Sequence, residues 1–263
     1  MAVRRNNHRR RRNRGRFGFL FKFLFIVALV IALTVGATVF FRVEAVVVSG
    51  NSRYTQEEVV AAAGVQLGEN LFQRNKGQMS EQVLQKLPYV ESLSIWRRLP
   101  NTIVIELTEC DAAAQVATPR SSLEGAAQEP WLINTGGKLL EPAPVDSTVM
   151  MVSGLTPLMP QAGMPMEVPQ EEQARRSALL SMLDALEQLE QLDRVASVEV
   201  RETQIHLRYM DRFQVKLPLN GDFLYQFRVL DKGVEETTRR HGEDSTGTMD
   251  LTQRDYELVY SPD

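Results

Sequence analysis

Residues Phe23 to Phe41 read Phe-Leu-Phe-Ile-Val-Ala-Leu-Val-Ile-Ala-Leu-Thr-Val-Gly-Ala-Thr-Val-Phe-Phe, nineteen positions without a charge. At ~1.5 Å per residue such a helix is about 28 Å long, close to the ~30 Å of a bilayer's hydrocarbon core. No other stretch of the 263 residues is long and apolar enough to span. A secretory signal has an apolar region of only ~7–15 residues, so this run reads as an anchor that is kept.

Charge divides sharply about this run. Before it stand nine basic side chains, from Arg4 to Lys22, and no acidic one. From Val43 onward 20 basic residues face 33 acidic ones. Positive charge on one flank of a first apolar segment places that flank in the cytoplasm. The expected layout is a basic cytoplasmic tail over 1–22, a transmembrane helix over 23–41, and some 220 residues outside the membrane. An arginine-rich arm can also bind nucleic acid. Abutting a span and lacking stacking aromatics, this one predicts contact with anionic lipid, with the membrane as partner and no nucleic acid.

Cys110 is the only cysteine, so no intrachain disulfide can form, and the exterior must rely on core packing. His8, His206 and His241 are scattered, with no cluster at metal-ligand spacing.

Beyond the membrane the chain alternates short patterns. Val43–Ser49 is β-branched and reads as a strand, followed by the turn Gly50-Asn51-Ser52. Thr55-Gln56-Glu57-Glu58 is a capping box opening a short helix that Gly64 ends. A second helix is expected from Ser80 to Pro88. Ser92–Trp96 and Thr102–Leu107 alternate with period two and flank the turn Arg97–Asn101, a hairpin.

The resulting order β-α-α-β-β matches a polypeptide-transport-associated (POTRA) domain. Phe41-Arg42-Val43-Glu44-Ala45-Val46-Val47-Val48-Ser49-Gly50-Asn51 resembles the family's F-x-V-x-x-I-x-V-x-G-N. Gly68-Glu69-Asn70-Leu71-Phe72 resembles G-x-N-L-F, and Pro88–Ile103 resembles P-x-V-x-x-A-x-V-x-R-x-x-P-N-T-L. With the basic tail and single span, the chain resembles the FtsQ/DivIB family of bacterial cell-division proteins over residues 1–109. It departs at Glu109-Cys110-Asp111, where the family usually continues E-R-x-P.

Residues 110–128, rich in Ala, Ser and Gln, are expected to be a linker. From 129 to 263 a β-rich domain with packed helices is expected. Trp131–Asn134 and Lys138–Leu140 flank Thr135-Gly136-Gly137 as a hairpin, and Val149–Leu155 is a strand. Met159–Pro169 is an irregular loop. A helix from Gln170 to Gln191 carries Ala178, Leu179, Met182, Leu183 and Leu186 on one face, for packing on a sheet. Strands follow at Val195–Val200, Gln204–Tyr209 and Phe213–Leu219, then a helix after Gly221-Asp222. Thr248–Leu251 and Tyr256–Tyr260 read as one last strand, bulged at Thr252–Asp255, resembling the family's terminal I-D-L-R-x…V-x-W segment. The fold class is therefore α+β: a transmembrane helix, a POTRA domain over 43–109 and the β-rich domain.

No nucleophile–base set, P-loop or zinc motif is present, so no enzyme activity and no cofactor are expected. Function falls to binding, and an exposed sheet edge is the natural means. The last strand, with Tyr256, Leu258 and Tyr260 on one face and Glu257 and Val259 on the other, is the expected edge. In FtsQ-like proteins this region receives a segment of the small coiled-coil protein FtsB (DivIC in other bacteria), which pairs with FtsL. The resemblance therefore implies a partner site at Asp250, Leu251, Thr252, Gln253, Arg254, Asp255, Tyr256, Glu257, Leu258, Val259 and Tyr260. It implies a divisome scaffold holding FtsB/DivIC-like and FtsL-like proteins and, through them, the septal peptidoglycan synthase complex. The alternative is a membrane-anchored POTRA chaperone for exported proteins.

Overall fold

The computed structural model of the protein describes residues 15–117, 129–253 and 258–262. Helix α1 (Gly15–Phe40) contains an apolar stretch, Gly18–Gly36, long enough to cross a membrane and packed against nothing else among the described residues. It begins well before Phe23, because Lys22 is a good helix former and limits only the uncharged run.

The unit after α1 contains β1 (Ala45–Ser49), α2 (Gln56–Ala63), α3 (Lys76–Lys86), β2 (Val90–Arg98) and β3 (Thr102–Glu109). Its sheet runs β1-β3-β2, with β1 parallel to β3 and β2 antiparallel to it. Val46, Ile103, Ile105 and Leu107 on the sheet meet Val59, Ala63 and Val83 on the helices, and together they form the core. The capping box forms as expected: Thr55 Oγ1 accepts from the Glu58 amide, and Glu58 accepts from the Thr55 amide at 2.8 Å. Gly64 ends α2 in the left-handed conformation. Helix α3 starts at Lys76, not Ser80: Asn75 caps it by accepting from the Gly77 amide at 2.8 Å. Gly50 follows β1 at φ +82°, and a Cβ there would stand 1.9 Å from the Leu107 carbonyl oxygen. Only glycine fits that close turn.

The second unit is one nine-stranded sheet. Its strands are β4 (Ala114–Val116), β5 (Trp131–Ile133), β6 (Leu139–Pro142), β7 (Met150–Ser153), β8 (Val195–Val200), β9 (Gln204–Tyr209), β10 (Phe213–Pro218), β11 (Gly247–Asp250) and β12 (Val259–Pro262). Their order is β12-β11-β10-β9-β8-β7-β4-β5-β6. Helices α4 (Gln173–Gln188) and α5 (Phe223–His241) contribute Leu179, Met182, Leu183, Leu186, Phe227 and Leu230 to the core. The sheet contributes Ile205, Leu207, Tyr209, Phe213 and Val215, the expected alternation. Asp222 caps α5, accepting from the Tyr225 amide at 3.0 Å.

Two further expectations change. The stretch read as a linker contains β4, which sits inside the sheet between β7 and β5. All three of its residues are buried, so it lacks the alternation that marks a half-buried strand. The last segment is two strands rather than one bulged strand. β11 and β12 pair antiparallel, Asp250 opposite Val259 and Gly247 opposite Pro262, so the chain reverses between them.

A small cluster joins the units: Tyr89 beside Leu132 and Leu140. The Tyr89 hydroxyl donates to the Glu141 carboxylate, and Lys138 Nζ donates to the Val90 carbonyl at 2.8 Å. Burial beside that contact raises the Tyr89 phenol above its ordinary value and lowers the Lys138 amine.

Candidate partner-binding edge

The nine-stranded sheet ends in β6 on one side and β12 on the other. The β6 side is covered by the loop before α4. Leu139 donates to the Met164 carbonyl at 2.9 Å, Gly163 donates to the Leu139 carbonyl at 2.8 Å, and Met166 donates to the Gly137 carbonyl at 2.8 Å. Among the described residues, β12 pairs only with β11. Half of its backbone groups therefore point away from the sheet, as on any edge strand.

Local contacts hold that edge in place from one face. Leu258 packs on Gly233 of α5, and Tyr260 meets the Phe213 ring edge-on at 6.4 Å between centroids. The Tyr260 hydroxyl donates to the Thr246 carbonyl at 2.8 Å. Val259 points the other way and is 44% exposed. The alternation expected for Leu258, Val259 and Tyr260 is thus present. The short strand ends at Pro262, which has no N–H to offer an outer neighbour.

The expected site residues do not all lie on this edge. Asp250 closes β11, one strand in, and Leu251 is fully buried, its amide donating to the Lys216 carbonyl at 2.9 Å. Asp250 Oδ1 accepts from the Thr252 amide at 2.8 Å and from Thr252 Oγ1 at 2.6 Å. This turn built on an aspartate side chain takes the chain out of β11 toward the reversal. Gln253 is exposed just beyond it, and Arg254, Asp255, Tyr256 and Glu257 lie outside the described residues.

Next to the edge, the face of β8, β9 and β10 opposite the helices forms a shallow depression lined by Glu199, Arg201, His206, Arg208 and Lys216. Arg201 pairs with Glu199 at 2.7 Å and Arg208 with Asp211 at 3.3 Å. Burial, with Arg201 and Lys216 nearby, lowers the His206 pKa, so the imidazole is neutral at pH 7. These residues alternate outward along their strands, a signal present in the sequence but not used to find them. No group of His, Cys, Asp and Glu suited to a metal occurs among the described residues. The geometry offers main-chain pairing beside a polar sheet face.

Residues 41–109 match the family model of the FtsQ-type POTRA domain. Three curated proteins, each called cell division protein FtsQ, are similar to parts of the chain. The one from Corynebacterium glutamicum is 36% identical over 66 residues, 25% of this chain and 29% of its own length. The one from Streptomyces venezuelae is 33% identical over 113 residues, 43% of this chain and 34% of its own. The one from Geotalea daltonii is 29% identical over 82 residues, 31% of this chain and 30% of its own. The chain spans about a third of the length of the curated relatives it matches. An apolar helix, a POTRA unit of FtsQ type and a β-rich unit behind it, together with these relatives, support a place for the chain in the FtsQ/DivIB family.

Proposed function

We propose that the protein is a bitopic scaffold of the bacterial division apparatus that binds by strand addition at β12. Its tail lies in the cytoplasm, α1 spans the membrane, and both folded units stand outside at the septum. The observation that carries the reading is the difference between the two sheet edges: β6 is covered by residues 163–166, while β12, among the described residues, is not. A strand-forming segment of an FtsB/DivIC-like protein, held with an FtsL-like one, would extend the sheet there and link the scaffold to septal wall synthesis. Relatives called cell division proteins support the process.

The test is binding of the full chain, in nanodiscs, to the FtsB/DivIC-like protein of the same cell. Val259→Glu places a charge on the exposed side of β12 and is expected to weaken binding at least tenfold with the fold intact. Equal binding by both forms would remove β12 from the interface, and no binding by the unaltered chain would refute the scaffold reading.

A further inference from the structure

Five large apolar side chains are exposed between residues 43 and 109: Val47, Leu67, Phe72, Trp96 and Leu99. They are not spread evenly. Leu67 and Phe72 lie in the loop between α2 and α3, and Leu99 lies in the β2–β3 turn. Both loops clasp the chain as it leaves α1. Gly68 donates to the Val43 carbonyl at 2.7 Å, Val43 to the Glu69 carbonyl at 2.8 Å, and Leu71 to the Phe41 carbonyl at 2.8 Å. On the other side, Glu44 donates to the Asn101 carbonyl at 2.9 Å. Leu67, Phe72 and Leu99 therefore form a rim around the foot of α1. Val47 and Trp96 pair with Val104 in one row across the outer sheet face. That row stands two residues beyond Thr102, about 7 Å from the rim at the usual strand rise.

The rim is also held rigidly and is basic. Phe72 stacks edge-on against Phe41 at 5.5 Å, and Phe41 against Phe40 at 5.2 Å. Arg97 lies over the Phe72 ring at 5.3 Å and donates to the Leu71 and Arg74 carbonyls at 2.7 Å each. Arg42 and Arg98 are exposed at the same level. Across residues 41–44, 66–74 and 97–102, four arginines face two glutamates. Leu67 is 70% exposed and Leu99 is 59% exposed, an arrangement that costs free energy in water and none in a lipid interface.

We propose that this rim docks on the anionic surface of the bilayer that α1 crosses. Leu67, Phe72 and Leu99 enter the headgroup–acyl boundary, Arg42 and Arg98 meet lipid phosphates, and Trp96 lies at headgroup level. Continuity carries the choice of partner: the backbone bonds on both sides of Val43 leave no flexible spacer between span and rim. The charge has the sign that anionic lipid attracts, and aromatic residues at this depth are the usual interfacial anchors. The POTRA unit would then be fixed in tilt as well as in height. This inference rests on α1 crossing the membrane.

The test is nitroxide accessibility in the full chain, reconstituted in phosphatidylcholine bilayers containing phosphatidylglycerol. Cys110→Ser supplies the background, and single cysteines are placed by Leu67→Cys, Leu99→Cys, Leu29→Cys and Asp111→Cys. The rim labels at 67 and 99 are expected to relax faster with oxygen than with an aqueous nickel chelate, and the label at 111 the reverse. Omitting phosphatidylglycerol should shift both rim labels toward nickel. Nickel accessibility at 67 and 99 equal to that at 111, with 29 still shielded, would overturn rim docking alone. Nickel access at 29 would instead overturn the membrane span. No response to phosphatidylglycerol would overturn the role of Arg42 and Arg98.

Discussion

Leu258 lies against the bare α-carbon of Gly233, where a Cβ would stand 2.6 Å from Leu258 Cδ1. A glycine inside a helix costs about 1 kcal/mol relative to alanine, and here it opens the groove that seats the edge strand. Gly233→Leu is therefore expected to lift β12 without melting the sheet. Hydrogen exchange checks this: the Val259 and Ser261 amides, which face β11, should exchange roughly tenfold faster, while Val215 keeps its protection.

Tyr209 links three elements from within the core. Its hydroxyl donates to Asp231 Oδ1 at 2.8 Å and lies 3.1 Å from Gln191 Oε1, while Gln191 Nε2 donates to Asp231 Oδ2 at 2.6 Å. Burial raises the phenol to about 12, with Arg194 pulling it down and Asp231 pushing it up. Tyr209→Phe leaves these partners short of a donor. The expected loss is about 1–3 kcal/mol, read from the denaturation midpoint.

Glu109 gives a pH signature. Its carboxylate accepts from Ser52 Oγ at 2.6 Å and from the amides of Ser52, Arg53 and Tyr54 at 3.0, 2.8 and 3.3 Å. Burial pushes its pKa up, but these bonds outweigh that and hold it below the ordinary 4.5. A depressed folded value means the stabilisation is present above the unfolded value and is lost as pH falls through the folded one. Glu109→Gln should therefore lower stability at pH 7 and make the decline below pH 4.5 shallower, measured by urea unfolding across pH.

The span and the first strand are joined without slack. Arg42 bridges to Asn70, and Val43 is bonded on both sides to the α2–α3 loop. A flexible insertion after Arg42 is expected to impair division more than conservative apolar swaps within Phe23–Phe41. Complementation of a depletion strain measures this, and equal tolerance of both changes would refute it.

Much of the first unit was legible because its local chemistry is explicit. Thr55 and Glu58 cap each other, Gly64 takes the left-handed cap, and Gly50 sits where no Cβ fits. The start of α3 was hidden because Gly77 resembles a loop residue, although Asn75 ahead of it is a strong cap. In the second unit the alternation in β9 and β10 gave those strands directly. β4 gave no such sign, because three short residues buried on both faces have no period to read. In sequence the final hairpin reads as one strand because Asp250 and Thr252 build their turn with side chains, without the Gly or Pro that usually marks a reversal. Which edge is open depends on the Gly163–Met166 segment crossing to β6, a long-range contact that no local pattern encodes.

The position of β4 shortens the join between the two units. Val90 pairs with Glu109 at the end of the first sheet, and Ala114 already pairs with Ile133 and Met150 in the second. Only Cys110 to Ala113 pass between them, and both ends are bonded, Cys110 donating to the Tyr89 carbonyl at 2.9 Å and Ala113 to the Ile133 carbonyl at 2.8 Å. A strap that short leaves little freedom to swing, so lengthening it would change where β12 stands relative to α1.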